Sequence, residues 1–322
     1  MARLSPLASV SQTRAVLEAH GLSTKYSLGQ NFLINDAILQ KIVTLADLAP
    51  DDFVLEVGPG IGTLSIALLK HAGRVVSVER DPDLPAVLEE TLAPWADRFA
   101  LVQKDALDLK ADDIRGASAQ FAGHLPGDQP LPTKLVSNLP YAVAATVVLD
   151  YFERFASLES ATVMVQKEVA DRMAACPGSK NYGAYTVKLR LFAEPDGRFA
   201  VGPGNFFPPP RVESAVLRLN RRPLVDDAGN PVDGSTLEAT CTMADAAFAS
   251  RRKTLANSCK TYFAGRGAQD APVAETLPRL FELAELDPRR RGETLDVAEF
   301  IRLGKALMKC RQAVRGERSA SA

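Results

Sequence analysis

The chain reads as an α/β protein, a doubly wound parallel sheet followed by a smaller C-terminal helical domain. Three observations lead there. The apolar run Phe53-Val54-Leu55-Glu56-Val57 enters a glycine-rich turn, Gly58-Pro59-Gly60-Ile61-Gly62, and the apolar periodicity of Leu64, Ile66, Ala67, Leu68 and Leu69 follows. That is strand, turn, helix. Further short apolar runs alternate with helical segments, the pattern of parallel strands joined by crossovers. After a polar stretch from Leu224 to Ser235, which reads as a linker, the period is helical.

The elements follow in order. Val10 to His20 reads as a short helix with Gly21 as its C-cap. The turn after the first strand has the spacing G-x-G-x-G, whereas a dinucleotide fingerprint is G-x-G-x-x-G and seats a pyrophosphate. Gly58 and Gly60 let the backbone approach a ligand closely. Glu56, two residues before Gly58, suits a cationic ligand better than a pyrophosphate. The second strand, Arg74 to Glu79, ends in a carboxylate 21 residues after Gly58, placed to take both hydroxyls of a ribose. The third strand, Phe99 to Gln103, leads to Asp105, placed to accept from an adenine amino group. The fourth, Lys134 to Ser137, delivers Asn138, and the fifth, Ala161 to Val165, runs into Gln166. Singly, each carboxylate could be a surface charge. Their succession at the C-terminal ends of consecutive strands, where open α/β sheets bind ligands, favours a nucleoside site.

Asn138-Leu139-Pro140-Tyr141 suits one task, the holding of a planar amino group beside an electrophile. The Asn138 side-chain carbonyl and a backbone carbonyl of the Leu139-Pro140 unit can both accept from an exocyclic NH2. Pro140 fixes φ and so aims the carbonyl before it. Tyr141 offers a ring on which a base stacks, and Phe in its place is expected to serve nearly as well. The plainer alternative is a strand-ending turn with a buried tyrosine.

Six segments carry a resemblance. They are Gly29-Gln30-Asn31-Phe32-Leu33, Glu56 to Gly62, Ser137 to Tyr141, Gln166 to Arg172, Phe206 to Ser214, and Arg251-Arg252-Lys253-Thr254. In this order they resemble the small-subunit ribosomal RNA adenine N6,N6-dimethyltransferases, the KsgA type of bacteria, from about Thr24 to about Leu307. The resemblance implies a Rossmann-like class I methyltransferase sheet. It implies S-adenosylmethionine contacts at Asn31, Leu33, Gly58, Gly60, Glu79, Asp105 and Asn138, and a target-adenine pocket of Asn138, Leu139, Pro140, Tyr141 and Phe206. The implied reaction places two methyl groups on N6 of each of two adjacent adenosines near the 3′ end of the small-subunit RNA. Two departures are Ser137, where the family usually has Gly, and Ala142, where it usually has Asn. A third is the segment 115–133, longer than usual and rich in Gly and Pro, which reads as a surface excursion.

Rivals are a large-subunit RNA adenine methyltransferase of the antibiotic-resistance type, a non-catalytic assembly or transcription factor on the same scaffold, and a DNA N6-adenine methyltransferase. Gln166 to Arg172 and the region Leu286 to Leu303 favour the small-subunit reading; a non-catalytic factor would tolerate loss of Asn138 or Glu79, and both are present.

Net charge is −1, unusual for an RNA binder. The distribution is uneven: from Gly204 onward 19 Lys and Arg stand against 15 Asp and Glu. Arg251, Arg252 and Lys253 are the candidate RNA contacts, with solvated charge as the alternative. The small surplus predicts few, local phosphate contacts and shape-specific docking on a folded particle. Four cysteines and three histidines show no metal-site spacing, so no metal is expected. No apolar run reaches the ~20 residues that span a bilayer. A cytoplasmic monomer acting on an immature ribosomal subunit is expected, in preference to an organelle-targeted protein. The expected domains are a helical extension (1–24), a catalytic domain (25–222), a helical RNA-docking domain (223–311) and a disordered tail (312–322).

Overall fold

The computed structural model describes residues 3–25, 30–121, 131–265 and 271–320. Helices α1 (Val10–Ala19) and α2 (Asp36–Ala46) flank the short strand β1 (Phe32–Leu33). Then come β2 (Phe53–Val57), α3 (Thr63–Leu69), β3 (Arg74–Glu79), α4 (Pro85–Thr91), β4 (Phe99–Gln103) and α5 (Ala111–Ser118). These are followed by β5 (Lys134–Asn138), α6 (Ala144–Arg154), β6 (Ser160–Gln166), α7 (Lys167–Met173) and α8 (Ala184–Arg190). The remainder is β7 (Ala193–Val201), β8 (Phe206–Phe207), β9 (Ser214–Arg221), α9 (Gly234–Phe248), α10 (Leu255–Ala264), α11 (Ala271–Leu283) and α12 (Val297–Ala320).

Seven strands form one sheet in the order β4-β3-β2-β5-β6-β9-β7. Strands β2 to β6 are mutually parallel, and β9 is antiparallel to β6. The chain winds outward from β2 through β3 to β4, then returns to build the other side from β5. The crevice for a ligand lies at that reversal, between β2 and β5. Their paired register covers Val54–Lys134 and Leu55–Leu135. Beyond it the Val57 N–H donates to the Ser137 hydroxyl at 2.8 Å. A buried N–H needs a partner, so the serine departure has a structural task that glycine could not perform.

The chain divides into two compact units, Met1–Ala170 with Pro195–Arg221, and Asp171–Glu194 with Arg222–Ala322. The expected boundaries shift in two places. The N-terminal stretch is no separate extension, because Leu4, Leu7 and Leu17 are buried in one core with Leu39 and Ile66. Residues 171–194 belong with the C-terminal helices: Tyr182 and Val187 share the second core with Met243, Phe263 and Phe300. Helix α1 is capped as expected, with the Gly21 N–H donating to Glu18 O at 3.0 Å and φ at 64°.

Strand β9 is interior and buried on both faces over Ser214–Leu217. Beside it β7 forms one edge of the sheet; its Pro195 and Gly197 are tolerated where no outer neighbour needs the ladder. Two further readings change. The stretch 224–235 is no bare linker: Val225 pairs with Pro231, and the Asp226 side chain accepts from Ala228 N and Asn230 N. The last helix continues to Ala320, through residues expected to be disordered. Of the 115–133 excursion, Phe121 is fully buried, edge-on to Phe53, while 122–130 lie outside the described residues.

In the second unit α9 and α12 approach closely because residue 304 has no side chain. A Cβ on Gly304 would lie 2.2 Å from the Thr240 hydroxyl oxygen and 2.8 Å from the Thr240 backbone nitrogen. Gly304→Val is therefore expected to destabilise this helical unit by about 1–3 kcal/mol, the usual range for overpacking. Thermal denaturation measures it; an unchanged melting temperature would mean that the helices separate at little cost.

Candidate donor and target-adenine site

A cavity of about 780 Å³ opens at the C-terminal ends of the parallel strands. That lies within the range of small-molecule sites. Gly58 and Gly60 from the turn after β2, Glu79 from β3 and Asp105 after β4 line it, with Asn31 and Leu33 from the β1 region. Asn138, Leu139, Pro140 and Tyr141 line it at the end of β5. Every expected donor contact, and four of the five expected target contacts, thus border one space.

The glycine turn needs its glycines. Gly60 has φ 58°, and a Cβ there would stand 3.0 Å from the Phe32 ring. Gly58 has φ 69°, and its Cβ would touch the Pro140 ring at 3.5 Å. The left-handed conformation disfavours side chains at both positions. The turn therefore packs against β1 on one side and the Asn-Leu-Pro-Tyr segment on the other.

Glu56 is 1% exposed, yet it borders the cavity. Its Oε2 accepts from the Ser65 hydroxyl at 2.6 Å and the Ser77 hydroxyl at 2.8 Å. Burial pushes its pKa up to about 7; the two hydroxyls oppose the shift and the nearby Glu79 carboxylate adds to it. The raised pKa means that the fold favours the protonated acid. Its contribution to stability is full below pH ~4.5 and is lost as pH rises through 7, on the order of 3 kcal/mol in all. Glu56→Gln removes the titration. Urea unfolding of both proteins at pH 5 and pH 8 should show the variant gaining on the parent at the higher pH; parallel behaviour would contradict the assignment.

Glu79 is 8% exposed, and its Oε1 accepts from the Asp81 N–H at 2.8 Å. Burial raises its pKa, and N–H groups of Asp81, Arg80 and Gly60 pull it back. Asp105 is less free than the sequence suggested. Its Oδ1 caps the following turn through Leu107 N at 3.0 Å, and its Oδ2 receives Arg80 at 3.1 Å. Asp81, not singled out from the sequence, is 2% exposed and receives Lys25 Nζ at 2.6 Å and Gln30 Nε2 at 2.7 Å. It fastens residues on both sides of 26–29; Gly29 of the first motif lies outside the described residues.

At the target end the Asn138 Nδ2 donates to the Asn31 carbonyl at 3.2 Å. That contact sets the amide's orientation and leaves Oδ1 as an acceptor. The Pro140 carbonyl is taken by Val143 N at 3.1 Å, whereas the Leu139 carbonyl accepts no hydrogen bond among the described residues. Of the two carbonyls left open by the sequence, Leu139 O is thus the available one. The Tyr141 hydroxyl shares a 2.6 Å hydrogen bond with the Ser214 hydroxyl, a partner 73 residues away.

These features coincide with a family. The model of "Ribosomal RNA adenine dimethylase" matches residues 21–303. The chain belongs to that family. It is 42% identical over 296 residues to Ribosomal RNA small subunit methyltransferase A of Rhodococcus opacus (strain B4), covering 91% of this chain and 92% of the relative. It is 40% identical over 303 residues to the protein of that name from Enterococcus faecalis (strain ATCC 700802 / V583), covering 94% and 97%. Among solved structures, a dimethyladenosine transferase from Plasmodium falciparum superposes with a TM-score of 0.66 at 21% identity, over 87% of this chain and 98% of that one. The 23S rRNA methyltransferase ErmE gives 0.59 at 24% identity, over 86% and 100%. These two share the class I methyltransferase fold.

Two expectations for this ribosomal RNA adenine dimethylase need revision. Phe206 does not line the cavity. It is 2% exposed and packs in the core, because β8 pairs antiparallel with β1, Phe206 opposite Leu33, and alternation sends Phe206 inward. A Tyr141–Phe206 sandwich is therefore not preformed; among the described residues Phe32 is the other aromatic on the lining. The basic cluster divides. Arg251 donates to Lys180 O at 2.9 Å and contacts Glu293 at 3.4 Å, whereas Arg252 and Lys253 are exposed and have no acidic partner among the described residues. All three lie in the second unit, outside the cavity lining.

Proposed function

We infer that this chain transfers methyl groups from S-adenosylmethionine to N6 of two adjacent adenosines near the 3′ end of small-subunit ribosomal RNA. We place the reaction on an immature subunit in the cytoplasm, with the protein acting as a monomer. The observation that carries the chemistry is the pair of acceptors at the end of β5: Asn138 Oδ1, oriented by Asn31, and the Leu139 carbonyl. The names of the relatives carry the choice of RNA.

The residues fit the donor. The glycine turn admits close backbone approach and Glu79 suits a ribose diol, while Glu56, buried and favouring the neutral acid, borders the cavity without supplying a fixed negative charge. When bound, S-adenosylmethionine supplies an electrophilic sulfonium methyl. The chain's task is to present the nucleophile. Two acceptors hold the amino hydrogens, turn the nitrogen lone pair out of conjugation and stabilise positive charge growing on nitrogen. No general base is required for the attack: as the new N–C bond forms, the sulfonium S–C bond breaks to leave a neutral thioether, and the methylated, positively charged nitrogen then releases its proton to water. A monomethylated amine keeps one N–H, so the second transfer engages one acceptor. Among the described residues no helix is long and apolar enough to cross a membrane.

Separate immature small and large subunits, incubated with labelled donor, discriminate the reading from its large-subunit rival. Label is expected in the small subunit; label confined to the large one would overturn the reading. Arg252 and Lys253 supply phosphate contacts. Replacing both by Ala should flatten the salt dependence of subunit binding, by about 0.7–0.9 in slope for each lost contact. Arg251→Ala, by contrast, should lower the melting temperature. An unaltered slope in the double variant would reduce Arg252 and Lys253 to solvated charge.

A further inference from the structure

Among the described residues three cationic side chains line the cavity: Arg80, Lys104 and Arg211. Two are committed. Arg80 meets Asp105 at 3.1 Å, and Lys104 meets Asp113 at 2.8 Å. Arg211 is exposed and has no acidic partner among the described residues; its neighbour Glu213 is taken by Lys167 at 2.7 Å. A cation on a cavity wall with no internal counter-charge is a place for an anion from outside.

We propose that Arg211 binds a phosphodiester next to the adenosine being methylated and so positions the target strand at the cavity mouth. The proposal rests on the RNA reading above and adds a contact to it. Two anions could meet such a guanidinium, the carboxylate of the methyl donor or a phosphate of the RNA. The wall on which Arg211 stands decides for phosphate. Three residues further on, Ser214 opens β9 and holds the Tyr141 hydroxyl at 2.6 Å, which ties this segment to the target end of the site. Pro208, Pro209 and Pro210 precede it, and three fixed φ angles limit its freedom to swing away. Val212, 44% exposed, adds an apolar neighbour for a sugar or base. Guanidinium matches phosphate oxygens in a two-pronged geometry that an ammonium cannot reproduce.

The test uses the full chain as Arg211→Ala and Arg211→Lys. S-adenosylmethionine is titrated calorimetrically without RNA, and methyl transfer to unmethylated small subunits is measured over a salt series. Arg211→Ala should leave donor affinity and kcat within about twofold. It should raise KM for the subunit about tenfold, the effect of one charge-assisted contact, and reduce the salt slope by about 0.7. Arg211→Lys should restore the slope and only part of the KM. Weakened donor binding with an unchanged subunit KM would assign Arg211 to the donor carboxylate and overturn the proposal. So would a variant indistinguishable from the parent in all three measures. Failure of the parent itself to methylate the small subunit would instead remove the RNA reading on which the proposal stands.

Discussion

Asn138→Ala is expected to lower methyl transfer by about 10²–10³-fold, the loss typical of one preorganised group that stabilises transition-state charge. The alanine removes Oδ1 from the amino group and leaves the Leu139 carbonyl as the remaining acceptor. It also breaks the Nδ2 contact to the Asn31 carbonyl, so a smaller loss of donor affinity accompanies the loss of rate. Subunit docking should survive, because Arg252 and Lys253, the proposed phosphate contacts, are untouched. Single-turnover transfer, calorimetric donor titration and filter binding to the subunit separate the three effects. Near-normal turnover would remove the amino-group clamp.

Glu79→Ala is expected to weaken S-adenosylmethionine binding by about 10²-fold, corresponding to the loss of two charge-assisted hydrogen bonds to a ribose at roughly 1.5 kcal/mol each. The residue is buried at the end of β3 and borders the cavity. Its Oε1 also accepts from Asp81 N–H, so the variant loses some local order. Glu79→Gln keeps an acceptor and should recover part of the affinity. Circular dichroism should be unchanged in both. Full affinity in Glu79→Ala would place the donor elsewhere.

Much of the sheet was legible because its central strands are buried on both faces and read as continuous apolar runs. Phe53–Val57 and Arg74–Glu79 are buried throughout, and the polar residues that end the runs lie where the cavity opens. Less legible was what depends on distant partners. Ser214 holds the Tyr141 hydroxyl across 73 residues of chain, and Ser137 replaces a missing ladder partner for Val57. Neither bond leaves a local pattern. The Ser214 contact also revises the expectation that Phe would serve nearly as well at position 141, since Phe would leave Ser214 without that partner. Phe206 was placed in the target pocket by the resemblance alone, whereas its direction is set by pairing with Leu33 in a two-residue strand, a distant partner that leaves no local pattern. Strand β7 was missed because Pro195 and Gly197 weaken the propensity signal, while an edge position permits both. The helical unit took in residues 171–194 because Tyr182 donates its hydroxyl hydrogen to the Leu295 carbonyl at 2.8 Å, a link between segments more than 100 residues apart.

The central claim is that one cavity holds both the methyl donor and an adenine amino group clamped by Asn138 and Leu139. Nucleoside mass spectrometry on small-subunit RNA tests it most directly, after unmethylated subunits have been incubated with the protein and S-adenosylmethionine and the modified bases mapped. The expected result is N6,N6-dimethyladenosine at two adjacent positions near the 3′ end, absent when Asn138→Ala replaces the parent. Methylation at a ring nitrogen or on another base, or dimethyladenosine formed equally well by the variant, would contradict it.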